Sequence, residues 1–200
     1  MRFDHRKSDD LDFFTPNWSR PLHKRIAREI RTKIGYSGSL DTEVVKPKRA
    51  KFARYYFQVS KKLKLKVELV QDFEQLLAPV GEDGIASTDD IYLRKIRTAV
   101  GWGEKVSSDG RPIPAGGRYT ARNLFDLWYL SEHYQPLWVW FPKHFERAEY
   151  ERLVGWLRSM TGASTVVELL NTKPGCDTRR IRQHLEEQIY ERLNRVYVRT

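Results

Sequence analysis

Residues 62–70 constrain this chain more than any other stretch. Leu63, Leu65, Val67 and Leu69 alternate with Lys62, Lys64, Lys66 and Glu68. Successive side chains of a β-strand point to opposite faces. The run therefore predicts a strand over 63–70, with an apolar face packed against helices and a charged face open to a cleft. A second strand-like run, Arg54 to Val59, is separated from it only by Ser60-Lys61-Lys62, which predicts a hairpin. Glu43-Val44-Val45 is a third strand-like run. The acid at the end of the lysine row, Glu68, reads either as a charge-balancing residue or as a carboxylate facing a reaction cleft.

The same period-two logic applies near the start of the chain, at His5-Arg6-Lys7-Ser8-Asp9-Asp10-Leu11-Asp12-Phe13-Phe14. If 11–14 is a strand, Leu11 and Phe13 point to a core. Asp10 and Asp12 then point together to the other side, about 7 Å apart along the strand. Two carboxylates held so close repel unless a cation lies between them. A nucleotidyl-transfer site holds Mg²⁺ in this way, with substrate phosphates completing the shell. The plainer reading is a solvated acidic turn before a strand.

Charge narrows the partners. The net charge is +10 and the pI is near 9.7, which implies an anionic partner, nucleic acid first. Between Lys46 and Lys66 there are nine Lys or Arg and no Asp or Glu, a run that attracts phosphates without reading sequence. Within it, Lys48, Arg49 and Lys51 are the candidate RNA-contacting residues. No stretch approaches 18 consecutive apolar residues, so a membrane is the weaker choice. The first residues are polar and no signal peptide is visible. The single cysteine, Cys176, excludes an intramolecular disulfide framework and a Cys-rich zinc site, and the five histidines show no ligand spacing. Together these features describe a cytoplasmic, reduced, zinc-free protein. Its 200 residues suit one domain, or one domain with a helical extension, and 40% hydrophobic content is enough for a sizeable core.

The remaining segments read mainly as helix. Ser19 and Pro21 open one helix, Leu22, Ile26, Ile30 and Ile34 give it an apolar stripe, and Gly35 ends it. Its basic residues (Arg20, Lys24, Arg25, Arg28, Arg31 and Lys33) form either a solvated face or a phosphate-contacting one. Ser87-Thr88-Asp89-Asp90 is a capping box opening a helix to about Val100, which carries Ile91, Lys95 and Thr98 on one side. Residues 104–119 are rich in Gly and Pro and predict a long mobile loop near the mouth of the site. A helix capped by Thr120 follows over roughly 121–133. Further helices are expected at about 143–160 and 177–195, separated by Lys173-Pro174-Gly175.

Four of these motifs, in order across residues 5–130, resemble the AbiEii-type nucleotidyltransferase family. That family is the toxin half of type IV toxin–antitoxin and abortive-infection systems. The matching residues are His5 to Phe14, Val67-Glu68-Leu69, Ser87 to Lys95, and Arg122-Asn123-Leu124-Phe125-Asp126-Leu127. The resemblance implies an α+β, polymerase-β-like nucleotidyltransferase fold: a mixed sheet with helices over 1–86, then a helical region over 87–200 that completes the active site. It implies nucleotide transfer from an NTP to RNA, tRNA acceptor ends in some members, with a separately encoded antitoxin as partner. Carried over by position, Asp10 and Asp12 hold Mg²⁺, and Glu68 stands where a third sheet carboxylate belongs. Ser8 and Lys95 contact the nucleotide, and Asp126 is the late acid of the site. Two features depart from the family pattern. Asn123 replaces the first acid of the Arg-Asp pair. The Gly-rich strand–turn that precedes the Asp-x-Asp strand, a supplier of backbone N–H groups to phosphate, has no room ahead of Asp10. The alternatives are therefore a metal-dependent transferase, a degenerate relative that binds RNA or a partner through its basic surface, or a phosphotransferase acting on protein.

Overall fold

The computed structural model describes residues 10–45, 51–101, 104–106, 112–114 and 119–198, of which 104–106 and 112–114 are described by backbone alone. The described residues are α+β and divide between two compact units, one up to Gln75 and one from Leu76.

The first unit is a four-stranded mixed sheet with one helix. Its elements are β1 (Asp10–Thr15), α1 (Arg20–Ile34), β2 (Ser37–Val44), β3 (Phe52–Gln58) and β4 (Lys64–Gln71). The spatial order is β1-β4-β3-β2, with β1 parallel to β4 and the other pairs antiparallel. The hairpin read from Ser60-Lys61-Lys62 is the β3–β4 connection. The apolar half of its period-two split is present: Val67 and Leu69 are buried with Ala53, Tyr55, Phe57 and Trp18, and Leu65 packs against them, but Glu68, expected on an open charged face, is itself buried. Leu63 lies before β4 and is exposed. Leu11 and Phe13 pair with Val67 and Leu69, so they belong to the apolar face as expected. They remain 45% and 40% exposed because β1 is the edge strand.

One helix covers this apolar face, and its buried line differs from the apolar stripe. Ser19 accepts the Leu22 N–H and Gly35 closes α1 at φ 76°, both as the sequence predicts. The fully buried positions, however, are His23 and Ala27, with Ile26 and Ile30 flanking them and Ile34 exposed. Ala27 permits a close approach to the sheet. His23 spends its two ring nitrogens on the Tyr55 hydroxyl (2.7 Å) and on Glu43 (2.9 Å), which also receives Arg20. The Trp18 indole donates to the Leu69 carbonyl, tying the start of α1 to β4. Opposite Phe57, β2 carries Gly38, where a Cβ would collide with the Phe57 ring.

The second unit is helical. Its main elements are α2 (Thr88–Val100), α3 (Ala121–His133), α4 (Leu137–Trp140), α5 (Arg147–Ser159), α6 (Ala163–Thr172) and α7 (Thr178–Glu186). The chain continues through a π-helical stretch, Glu187–Leu193, into α8 (Asn194–Tyr197). Tyr92, Ile96, Leu124, Leu127, Trp140, Leu153, Trp156, Leu185 and Ile189 lie in one buried cluster. Two expectations need correction here. Residues 104–119 are not devoid of regular structure: Glu104–Val106 (β5) and Pro112–Pro114 (β6) pair antiparallel, while 107–111 and 115–118 lie outside the described residues. The sequence also showed no helix at α6, whose buried residues are only Thr165 and Leu169.

Candidate functional site

Strand register builds the candidate site from the sequence upward. Asp10 faces Lys66 and Asp12 faces Glu68 across β1 and β4, while Glu68 faces Arg54 and Lys66 faces Tyr56 across β4 and β3. Directly opposed residues share a face. Two rows therefore cross the sheet on the side away from the apolar cluster: Asp10, Lys66, Tyr56, and Asp12, Glu68, Arg54. The structure thus brings together Asp10, Asp12 and Glu68, three of the residues expected to act together.

Their charges are not balanced evenly. Glu68 gives one oxygen to the Arg54 Nε at 2.6 Å and the other to the Lys66 Nζ at 3.3 Å. Lys66 also reaches an Asp10 oxygen at 3.3 Å. Burial opposes ionisation of Glu68, but Arg54 and Lys66 outweigh it and hold its carboxyl below the usual value. Asp12 shows the reverse. Desolvation, then the negative charges of Asp10 and Glu68, push its carboxyl above the usual value, and Lys66 only partly offsets them. Asp12 nevertheless keeps an exposed surface. A carboxylate held against its neighbours in this way is poised for a cation or a proton.

The donor set decides how far Mg²⁺ suits this face. Mg²⁺ is usually held by one or two carboxylates, with waters and substrate phosphates filling the other positions. Asp10 and Asp12, two residues apart on one strand face, fit that mode. Glu68 is committed through both oxygens to Arg54 and Lys66. Among the described residues no group of three His, Cys, Asp or Glu is arranged to hold a metal ion.

Lys95 and Asp126 belong to the helical unit. Lys95 on α2 and Asp126 on α3 form an ion pair of 2.8 Å, in which the Asp126 side chain is 3% exposed and that of Lys95 is 30% exposed. The pair joins two helices that pack against each other. The residues before Lys95 in that motif are architectural. Ser87 accepts the Asp90 N–H and donates back to its carboxylate, and Asp90 also accepts the Leu77 N–H at 2.7 Å. Asp89 accepts the Trp140 indole N–H at 2.6 Å. Asn123 is buried in the first turns of α3. Thr120 stands at the N-cap of α3, where its carbonyl accepts the Asn123 and Leu124 N–H groups but its side chain makes no capping hydrogen bond.

The remaining candidates fall differently. Ser8, Lys48 and Arg49 lie outside the described residues. Lys51 is half-buried just before β3, and its carbonyl accepts the Gln71 N–H. The basic run is split by the strand it contains: Lys51 precedes β3, while Lys61 and Lys62 sit in the turn after it. Seven extended residues, Phe52–Gln58, separate those two ends by about 20 Å. One arrangement had no signal in the sequence. His184 bonds Ser131 at 2.8 Å through Nε2 and Glu132 at 2.9 Å through Nδ1. This has the connectivity of a hydrolytic triad. Ser131 is 2% exposed and accepts the Leu137 N–H, so the group fastens α3 to α7 and to the start of α4.

Among the described residues no helix is long and apolar enough to cross a membrane. Compared with known proteins, the chain matches no family model and no curated protein.

Proposed function

We propose that the chain is a metal-dependent nucleotidyltransferase that transfers a nucleotide from an NTP to RNA, with the tRNA acceptor end as the favoured substrate. The observation that carries this reading is the carboxylate face of β1 and β4. There Asp10 and Asp12 share one side of an edge strand, Glu68 faces Asp12, and Asp12 is held in an environment that disfavours its charge. The resemblance to AbiEii-type toxins supplies the reaction class, the polymerase-β-like assignment and the expectation of an antitoxin partner. The sheet order and parallel β1–β4 pairing are compatible with that assignment.

In this reading an RNA hydroxyl oxygen attacks the α-phosphorus of the NTP. The bond from that phosphorus to the bridging oxygen breaks, pyrophosphate leaves, and the hydroxyl proton passes to a carboxylate of the row. Mg²⁺, when bound, neutralises polyphosphate charge. Asp10 and Asp12 hold the cation and orient the hydroxyl. Arg54 and Lys66 fix Glu68, so that it shapes the field on this face without ligating. The resemblance assigns Lys95 to the nucleotide; within the helical unit it forms an ion pair with Asp126.

One observation favours the second reading, a degenerate domain that only binds RNA or a partner protein. Lys66 and Arg54 already offset much of the carboxylate charge, so the face can persist without a cation. One assay separates the two. Total tRNA is incubated with Mg²⁺ and each NTP in turn, labelled at the α-phosphate, using parent protein and Asp12→Asn. The transferase labels RNA with at least one NTP, and Asp12→Asn abolishes the label while retaining RNA binding. Absence of label with every NTP overturns the enzyme reading.

A further inference from the structure

We propose that Lys66 is a built-in counter-ion of the carboxylate face: it occupies the space between Asp10 and Glu68 in the free protein and sets how readily a divalent cation binds there. The inference rests on the reading of Asp10 and Asp12 as the cation-binding pair.

The two basic residues of the face hold their acids differently. Arg54 approaches Glu68 at 2.6 Å, a short charge-assisted contact. Lys66 sits 3.3 Å from one oxygen of Asp10 and 3.3 Å from one of Glu68, bridging both and tight on neither. A guanidinium on a neighbouring strand is a fixed fork, whereas an ammonium on a four-carbon stem is a movable point charge. Lys66 therefore serves the free protein in two ways. It offsets repulsion between acids on adjacent strands, and it can swing from Asp10 at the expense of one long contact while staying beside Glu68, because its side chain already reaches solvent.

Its effect on a cation follows from Coulomb's law. A divalent ion held by Asp10 and Asp12 meets the Lys66 charge at close range, and such repulsion at a solvent-facing site is worth roughly tenfold or more in affinity. When the ammonium swings away from Asp10 its three donors become available to phosphate oxygens. The same residue thus opposes a bare metal ion and favours a metal that arrives with polyphosphate. Binding of cation and nucleotide is coupled through Lys66.

The test reads metal binding rather than turnover. Mn²⁺, visible by electron paramagnetic resonance, is titrated into the full chain without nucleotide, for parent, Lys66→Gln, Lys66→Arg and Asp12→Asn, with circular dichroism confirming that each variant is folded. The expected result is about tenfold tighter Mn²⁺ binding by Lys66→Gln, parent-like affinity for Lys66→Arg, and loss of binding in Asp12→Asn. Unchanged or weaker binding by Lys66→Gln, with parent binding still dependent on Asp12, overturns the role of Lys66 alone. If no variant binds Mn²⁺ in an Asp12-dependent way, the carboxylate-pair reading falls and the proposal falls with it.

Discussion

At the scale of single residues, Asp12 and Glu68 face each other yet respond oppositely to their surroundings. Asp12 is crowded by like charge, so Asp12→Asn relieves repulsion in the folded protein that the unfolded chain does not feel. The variant is expected to melt higher than the parent by roughly 1–3 °C, the scale of a sub-kcal/mol change in a chain this size. Calorimetry checks this, and a lower melting temperature contradicts it. Glu68 behaves as the stabilising partner. Its carboxyl lies below the ordinary value of 4.5 in the folded protein, so its contribution is fully present above that value. The contribution disappears as pH falls through the lowered folded value. Denaturant melts from pH 6 down to pH 3 should therefore show a steeper loss in the parent than in Glu68→Gln. The variant starts about 1–2 kcal/mol less stable at pH 6, because Arg54 and Lys66 lose a charged partner and one of its two acceptor oxygens. Much of this face was legible beforehand. The alternation of Leu63 to Glu68 and of Asp10 to Phe13 is a property of strand geometry, and it placed three acids on one side. The ion pairs of Lys66 and Arg54 were not legible, since they depend on the register between strands far apart in sequence.

Among the elements, α2 best shows how a motif can serve the fold before it serves chemistry. Its Ser87–Asp90 box caps the helix, Asp90 holds the Leu77 backbone, and Asp89 takes the Trp140 indole. Lys95 belongs to the same logic, since it neutralises the buried Asp126. Lys95→Ala leaves that acid without its lysine partner and should cost about 2 kcal/mol of stability, less than for a fully buried pair because Lys95 is partly exposed. Adding Asp126→Asn to Lys95→Ala should restore much of the loss, as urea titration of the single and double variants would show. If the double variant is no more stable than Lys95→Ala, the pair does not hold α2 to α3. The helices legible in the sequence are those whose apolar positions repeat every three or four residues, as in α2 and α3. By contrast, α6 turns Val166, Val167 and Leu170 outward and buries little more than Leu169, so no stripe marked it. In α1 the stripe was visible, but His23 and Ala27 are what the sheet buries. A pattern rule that scores apolar side chains passes over a histidine satisfied by Tyr55 and Glu43.

For the molecule as a whole, charge is distributed unevenly. Residues 7–75 hold 16 of the Lys and Arg against nine Asp and Glu, which is +7 of the chain's net +10. RNA binding should therefore weaken steeply with salt. Alanine at Lys61 and Lys62 should lower affinity for long and short RNAs by similar factors whatever their sequence, checked by filter binding across a salt series. A loss confined to one RNA sequence would indicate base readout instead. The junction between the two compact units has a practical consequence of its own. Phe73, 70% exposed, lies just ahead of the boundary at Gln75 and Leu76, so chymotrypsin should cleave there early. The cut leaves Asp10, Asp12 and Glu68 on one fragment and Lys95 and Asp126 on the other. Whether each separated fragment keeps its own circular dichroism spectrum then measures how far each unit folds without the other.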